Sequence, residues 1–319
     1  MHVELLVPGL LSLPEAPRTP SLEFLLARGR ATRGDPRSAE SWLRDAFGLD
    51  SLPAGALSVA APGAATWTRA DPVHLRLLRD RVVIVPAEAF DLPAEEAGAL
   101  VEALNRHFGE GLAIEMHSAA RWAARLAAPI AVPDEPALQV AGRAAEPGMQ
   151  GGALLTEIQM VLHAHPVNEA REARGEPPVN SLWLWGAGAA PQHVQARWQS
   201  LTAGDPLVLG LARAAALRAR PPAPATQWLD RVPEEGRHLV VLDALRAPAA
   251  LGDADALSRM LAALEEAWFA PVLAALRAGR VGMVTVHVPD AARALSVEAI
   301  RGDLRRIWRR PRPLSAWMG

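Results

Sequence analysis

Residues 157–188, EIQMVLHAHPVNEAREARGEPPVNSLWLWGAG, hold the densest structural signal in this chain. Ile158, Val161 and Leu162 recur at helical spacing, and His165-Pro166 stops that helix, because a residue before proline is pushed out of the helical region. An Arg-bearing connector and a double proline follow, then a short apolar strand ending in Gly-Ala-Gly. The segment reads as a junction between architectural units. His165, Asn168, Arg171 and Asn180 fall outside its apolar faces, at corners where loops usually carry function.

Outward from this junction, strands alternate with helices. Residues 2–7 read as a strand ended by Pro8-Gly9, and residues 21–28 as a helix with Leu22, Leu25 and Leu26 inward. Residues 81–85 form a second short strand, and 93–108 a helix through Leu100, Val101 and Leu104. Residues 129–152, rich in Pro and Gly, read as a long surface connection, and 221–225 (PPAPA) as a stiff linker. Strands at 238–242 and 281–288 are separated by an amphipathic helix from Asp255 to about Arg277, interrupted near Pro271. The alternation predicts an α/β fold with a mainly parallel sheet.

Composition removes several chemistries. The 319 residues are half hydrophobic and 21% charged, enough for a substantial core and one or two domains. Cys and Tyr are absent, and every one of the 33 basic residues is Arg. A Schiff base, a P-loop lysine, a thiolate nucleophile, a disulfide and a Cys-based zinc site are excluded. The net charge of −2 gives no general attraction to phosphate polymers or anionic lipid. Glu4 stands where a signal peptide needs positive charge, and no segment reaches the length of a membrane span. A cytoplasmic location is the expectation.

The order H-P-V-N-x-x-R-x-x-x-G-x-P-x-x-N over residues 165–180, followed by a strand and G-A-G, resembles the archaeal-type cofactor-independent phosphoglycerate mutases. It resembles still more the bacterial RpfE-type regulatory proteins related to them. Shorter stretches match in the right order: residues 20–29 (PSLEFLLARG), residues 91–108 (DLPAEEAGALVEALNRHF), Ala247-Pro248 with Gly252, and Pro311-Arg312-Pro313-Leu314. The resemblance implies an alkaline-phosphatase-like core from residues 1–70 and 180–319. A smaller α/β domain with a connecting segment, residues 71–179, would be inserted between them.

Active members of that family use two divalent metal ions and a serine nucleophile. Their first strand ends in D-G-x-G-D, where this chain has Val7-Pro8-Gly9-Leu10. In their A-P-D-E-A-G-H motif, the ligating Asp falls here on Ala249 and the ligating His on Asp253. Their D-H-S signature falls where this chain has Val286-His287-Val288-Pro289-Asp290. Asp243 and His287 remain as possible ligands at strand ends, and Ser38, Ser41 and Ser58 lie in the right part of the chain without a nucleophile context. The metal site therefore reads as lost, with no cofactor.

Three readings follow. The first is a phosphoglycerate mutase-like regulatory protein that binds a small anionic metabolite or a protein partner. Its ligand would sit on His165, Asn168, Arg171 and Asn180, joined by Asp71 and His74 from a D-P-V-H stretch typical of the RpfE-type relatives. Each of these has a plainer reading too, as a helix cap, a turn or a helix start at Asp71-Pro72. The second is an active mutase or phosphatase with Mn or Zn held by Asp243, Asp253 and His287. The third is a regulator acting through nucleic acid or a protein by its Arg-rich carboxyl end, RRIWRRPRPLSAW, where arginines interleave with Trp308 and Trp317. The bland alternative there is a solvated helix face whose Trp packs inward. The first reading is adopted.

Overall fold

The computed structural model describes residues 1–12, 16–61, 63–79, 81–128, 130–143 and 152–317. Twelve strands are present among them: β1 His2–Leu6, β2 Arg30–Gly34, β3 Trp67–Leu77, β4 Val82–Pro86, β5 Leu112–Ser118, β6 Arg121–Leu126, β7 Ser181–Gly188, β8 Ser200–Thr202, β9 Arg218–Arg220, β10 Arg237–Val241, β11 Met283–Val288 and β12 Ala294–Ile300. Contacts divide the chain into two units, one of Met1–Asp50, Val194–Asp205 and Ala215–Gly319, the other of Ser51–His193 and Pro206–Ala214. The expected boundaries at residues 70 and 180 differ from this division. The first cuts β3, whose ladder with β7 ties residues 67–73 to residues 181–188.

The first unit is the expected α/β layer. Its sheet runs β2-β12-β11-β1-β10-β8-β9, parallel from β11 to β9, with β12 and β2 antiparallel at one edge. Central parallel strands are covered on both faces and so are mostly apolar, as β1, β10 and β11 are apart from His2, Glu4, Arg237, His238, Thr285 and His287. Val3, Leu5, Val240, Val284 and Val286 pack with Leu22, Leu25, Trp228, Phe269 and Leu276 from flanking helices. The helix expected from Asp255 to Arg277 is three pieces: Ala254–Leu264, a π-helical turn Glu265–Phe269, and Ala270–Ala278. Pro271 has no N–H to continue an α-helical ladder, and the widened turn just before it absorbs the mismatch.

The second unit carries a five-strand antiparallel sheet, β4-β3-β6-β5 with β7 on the other side of β3. One face packs the helix Ala94–Phe108 through Ala97, Leu100 and Leu104, together with Ile158, Leu162, Leu182 and Leu184. Asp71-Pro72 does not begin a helix but lies within β3. Trp67–Arg69 pair with β6 and Val73–Leu77 with β4, so Pro72 sits where one partner gives way to the other and its missing donor is tolerated. Of the connection expected at 129–152, residues 129 and 144–151 lie outside the described residues. No helix among the described residues is long and apolar enough to cross a membrane.

Candidate functional site

The residues expected to hold an anion lie together in the second unit, but their polar atoms are turned to the protein. His165 caps the helix Pro166–Ala173, its Nδ1 accepting from the Val167 N–H at 3.2 Å. Burial, with Arg106 adding to it, lowers the His165 pKa, consistent with the neutral ring that this cap needs. Asn168, 2% exposed, donates to the carbonyls of Leu162 (2.7 Å) and Val179 (2.8 Å) and accepts from the Val179 N–H (2.9 Å). It brackets the two ends of the junction.

Arg171 is fully buried. Its Nε donates to the Pro177 carbonyl (2.9 Å), Nη2 to the Asp91 carbonyl (2.7 Å) and Nη1 to the Glu96 carboxylate (2.5 Å). Gly175, at φ +75°, turns the chain out of the helix so that Pro177 can meet this fork. The Asn180 side chain pairs with both backbone groups of Leu75, accepting at 2.7 Å and donating at 3.0 Å, as a further strand residue would. The motif is thus a clasp joining a helix end, a turn and two strands. The side-chain donors of Asn168, Arg171 and Asn180 are engaged within it, where the sequence reading sets them against an anion.

Asp71 and His74 are likewise engaged. Asp71 accepts from Arg69 (2.6 Å) and from the Trp185 indole (2.7 Å), with Arg69 and Asp71 both buried. Arg69 also reaches the Trp122 carbonyl at 3.2 Å and Ser58 Oγ at 3.4 Å. The His74 ring meets the Pro178 carbonyl at 2.9 Å, and burial lowers its pKa. Trp183 and Trp185 are buried, as expected of core packing.

The three candidate metal ligands of the first unit have other partners. Asp253 caps the helix Ala254–Leu264, accepting from the Ala256 N–H at 2.9 Å. Asp243 is exposed beyond the end of β10. His287 places Nε2 3.0 Å from Glu4 Oε2 and Nδ1 2.9 Å from Ser296 Oγ, with the Trp42 ring tilted against its own at a centroid distance of 4.9 Å. Among the described residues no group of three His, Asp or Glu side chains is arranged to hold a metal ion. This donor set does not fit a two-metal centre.

Glu4 was not among the site residues expected from the sequence, although a carboxylate inside a mostly apolar central strand is a signal in itself. It is 1% exposed, and one oxygen takes both the His287 imidazole and Arg197 Nη2, each at 3.0 Å. Arg237 lies 3.5 Å from the other oxygen. Burial alone would raise its pKa, but the His287 hydrogen bond and the charges of Arg197, His287 and His2 prevail and bring it down to about 2. The Ser296–His287–Glu4 chain can pass a proton between hydroxyl and imidazole. Its carboxylate is also the counter-charge of flanking arginines, which suits an electrostatic pin across β1, β11 and the segment before β8.

No family model matches this sequence. The chain is 27% identical over 168 residues, 47% of its length, to a 2,3-bisphosphoglycerate-independent phosphoglycerate mutase of Methanosarcina acetivorans, covering 42% of that protein. It is 32% identical over 99 residues, 30% of its length, to a probable enzyme of the same name from Geobacter sulfurreducens, covering 25% of it. The matched stretch is therefore less than half the length of either relative. Among solved structures, the PH0037 protein from Pyrococcus horikoshii superposes with a TM-score of 0.58 at 15% identity, over 93% of this chain and 87% of that one. The chain is related to phosphoglycerate mutase-like proteins and shares the α/β fold of its structural neighbour.

Proposed function

We propose that this is a phosphoglycerate mutase-like protein of alkaline-phosphatase-like fold, without the two-metal phosphotransfer centre, that works by binding as a cytoplasmic regulatory factor of the RpfE type. The observation carrying this reading is the packing at the strand ends. Val7, Leu10, Leu11, Leu242, Leu245 and Val288 are all at most 7% exposed and belong to the main hydrophobic cluster. Gly9, at φ +82°, brings the turn after β1 so close to residues 245–249 that an added Cβ would lie 2.8 Å from the Leu245 carbonyl oxygen. Divalent ions with carboxylate ligands need several fixed charges in that layer, and burying them among leucines costs several kcal/mol per ion on the order-of-magnitude scale.

The test is an NMR assay of 2- and 3-phosphoglycerate interconversion with Mn or Zn supplied. The reading expects no turnover above the protein-free rate. Turnover that disappears in Asp243→Asn would favour a rebuilt metal site and end the proposal.

A further inference from the structure

The carboxyl-terminal segment does not form the solvated helix considered from its sequence. It runs through short 3₁₀ turns at Asp303–Arg305 and Leu314–Trp317 and is fixed to its own unit at several points. Arg306 donates to the Arg28 carbonyl (3.2 Å) and pairs with Asp303 (2.6 Å), Arg309 donates to the Gly29 carbonyl (2.6 Å), and Leu314 is buried in the core. So anchored, it walls a cavity of about 490 Å³ whose other side is Leu26, Ala27, Gly29, Ala31 and Arg33. That volume suits a small organic ligand rather than a single ion.

The chemistry of the lining is one-sided. Arg33, Arg309, Arg310 and Arg312 face the cavity together with Trp308 and Trp317, and no carboxylate of the described residues lines it. The guanidinium groups of Arg33, Arg310 and Arg312 have no hydrogen-bond or ion-pair partner among the described residues. Four like charges gathered without a counter-charge among the described lining residues repel one another, and an anion relieves that repulsion. Trp308 is 74% exposed, an indole face offered to solvent. The Trp317 indole nitrogen is buried with no acceptor among the described residues, an unfavourable state for a donor.

From these observations we infer that the cavity binds a nucleotide unit, its phosphate forked by Arg310, Arg312 and Arg33 and its base stacked on Trp308. Guanidinium groups match phosphate geometry and indole faces stack any base, so the pair of features selects a ligand that is both anionic and planar. A free nucleotide and one residue of a single strand share this chemistry. The inference is independent of the fate of the metal centre at the strand ends.

Calorimetry on the full chain tests it with AMP, adenosine, inorganic phosphate, an oligoglutamate and a short oligothymidylate. AMP should bind about tenfold or more tightly than adenosine or phosphate alone, because both halves contribute. Arg310→Ala with Arg312→Ala should weaken it by about tenfold or more, and Trp308→Ala by a similar factor. Wild-type denaturation midpoints in these variants would establish that they are folded, as side chains without protein partners lead one to expect. Tighter, more salt-sensitive binding of the oligothymidylate would identify a single strand as the source, and equal affinity a free nucleotide. Affinity unchanged in the double arginine variant, phosphate or oligoglutamate binding as well as AMP, or no binding at millimolar AMP would each overturn the inference.

Discussion

Arg171 and Arg312 are the same residue in opposite circumstances. Arg171 sits in the most specific sequence motif, and every nitrogen of its guanidinium meets a carbonyl or carboxylate of the protein. Arg312 sits in a charge run that composition alone would dismiss, yet it lines a cavity without a protein partner among the described residues. Motif specificity records how narrowly a position is constrained. It does not say whether a ligand or the fold imposes the constraint, and only a census of partners separates the two.

The contrast can be broken by substitution. Arg171→Ala should have the largest effect, a loss of about 3–5 kcal/mol in urea denaturation, because it empties the space of a fully buried side chain and leaves the carbonyls of Pro177 and Asp91 and the Glu96 carboxylate without this donor. Arg171→Lys should rescue little of this, since one ammonium cannot replace a three-way fork. Wild-type stability in Arg171→Ala would return this residue to the list of ligand candidates.

Glu4→Gln should rank next, at about 3 kcal/mol near neutral pH, the order of magnitude of a pKa drop from 4.5 to about 2. The sign is fixed by the direction of the shift. A depressed carboxylate stabilises the fold fully above the unfolded value of 4.5, and that contribution fades as pH falls towards 2. The gap between wild type and variant should therefore close over that window, and a gap independent of pH would remove Glu4 as the pin. Asn168→Asp, which keeps shape but turns a donor into a charge facing two carbonyls, should cost about 2–3 kcal/mol in the same measurement. Arg310→Ala and Arg312→Ala should each stay within about 0.5 kcal/mol of wild type, the range of surface changes without partners. A larger loss from either would mean that the tail arginines are structural after all.

The core was legible because its physics is local and repetitive. β1, β10 and β11 are mostly apolar segments of strand length, the Pro271 interruption follows from one missing N–H, and alternation with helices implies the parallel sheet. β3 was not legible, because an Asp-Pro pair within a strand is acceptable only where two edge partners meet, which no local pattern reveals. The clasp was visible as a cluster of polar residues, but its targets are backbone groups of residues such as Asp91 and Leu75, far away in sequence. Glu4 carried a readable anomaly whose four basic neighbours come from β1, β10, β11 and the segment before β8.

At the strand ends, leucines and a tightly packed glycine fill the layer where a two-metal centre would need carboxylates. Metal content speaks to it most directly: mass spectrometry of protein purified without a chelating tag, incubated with Mn and Zn and then desalted. The account predicts no stoichiometric metal. Two ions retained per chain would contradict it and make this a working relative of the mutases it resembles.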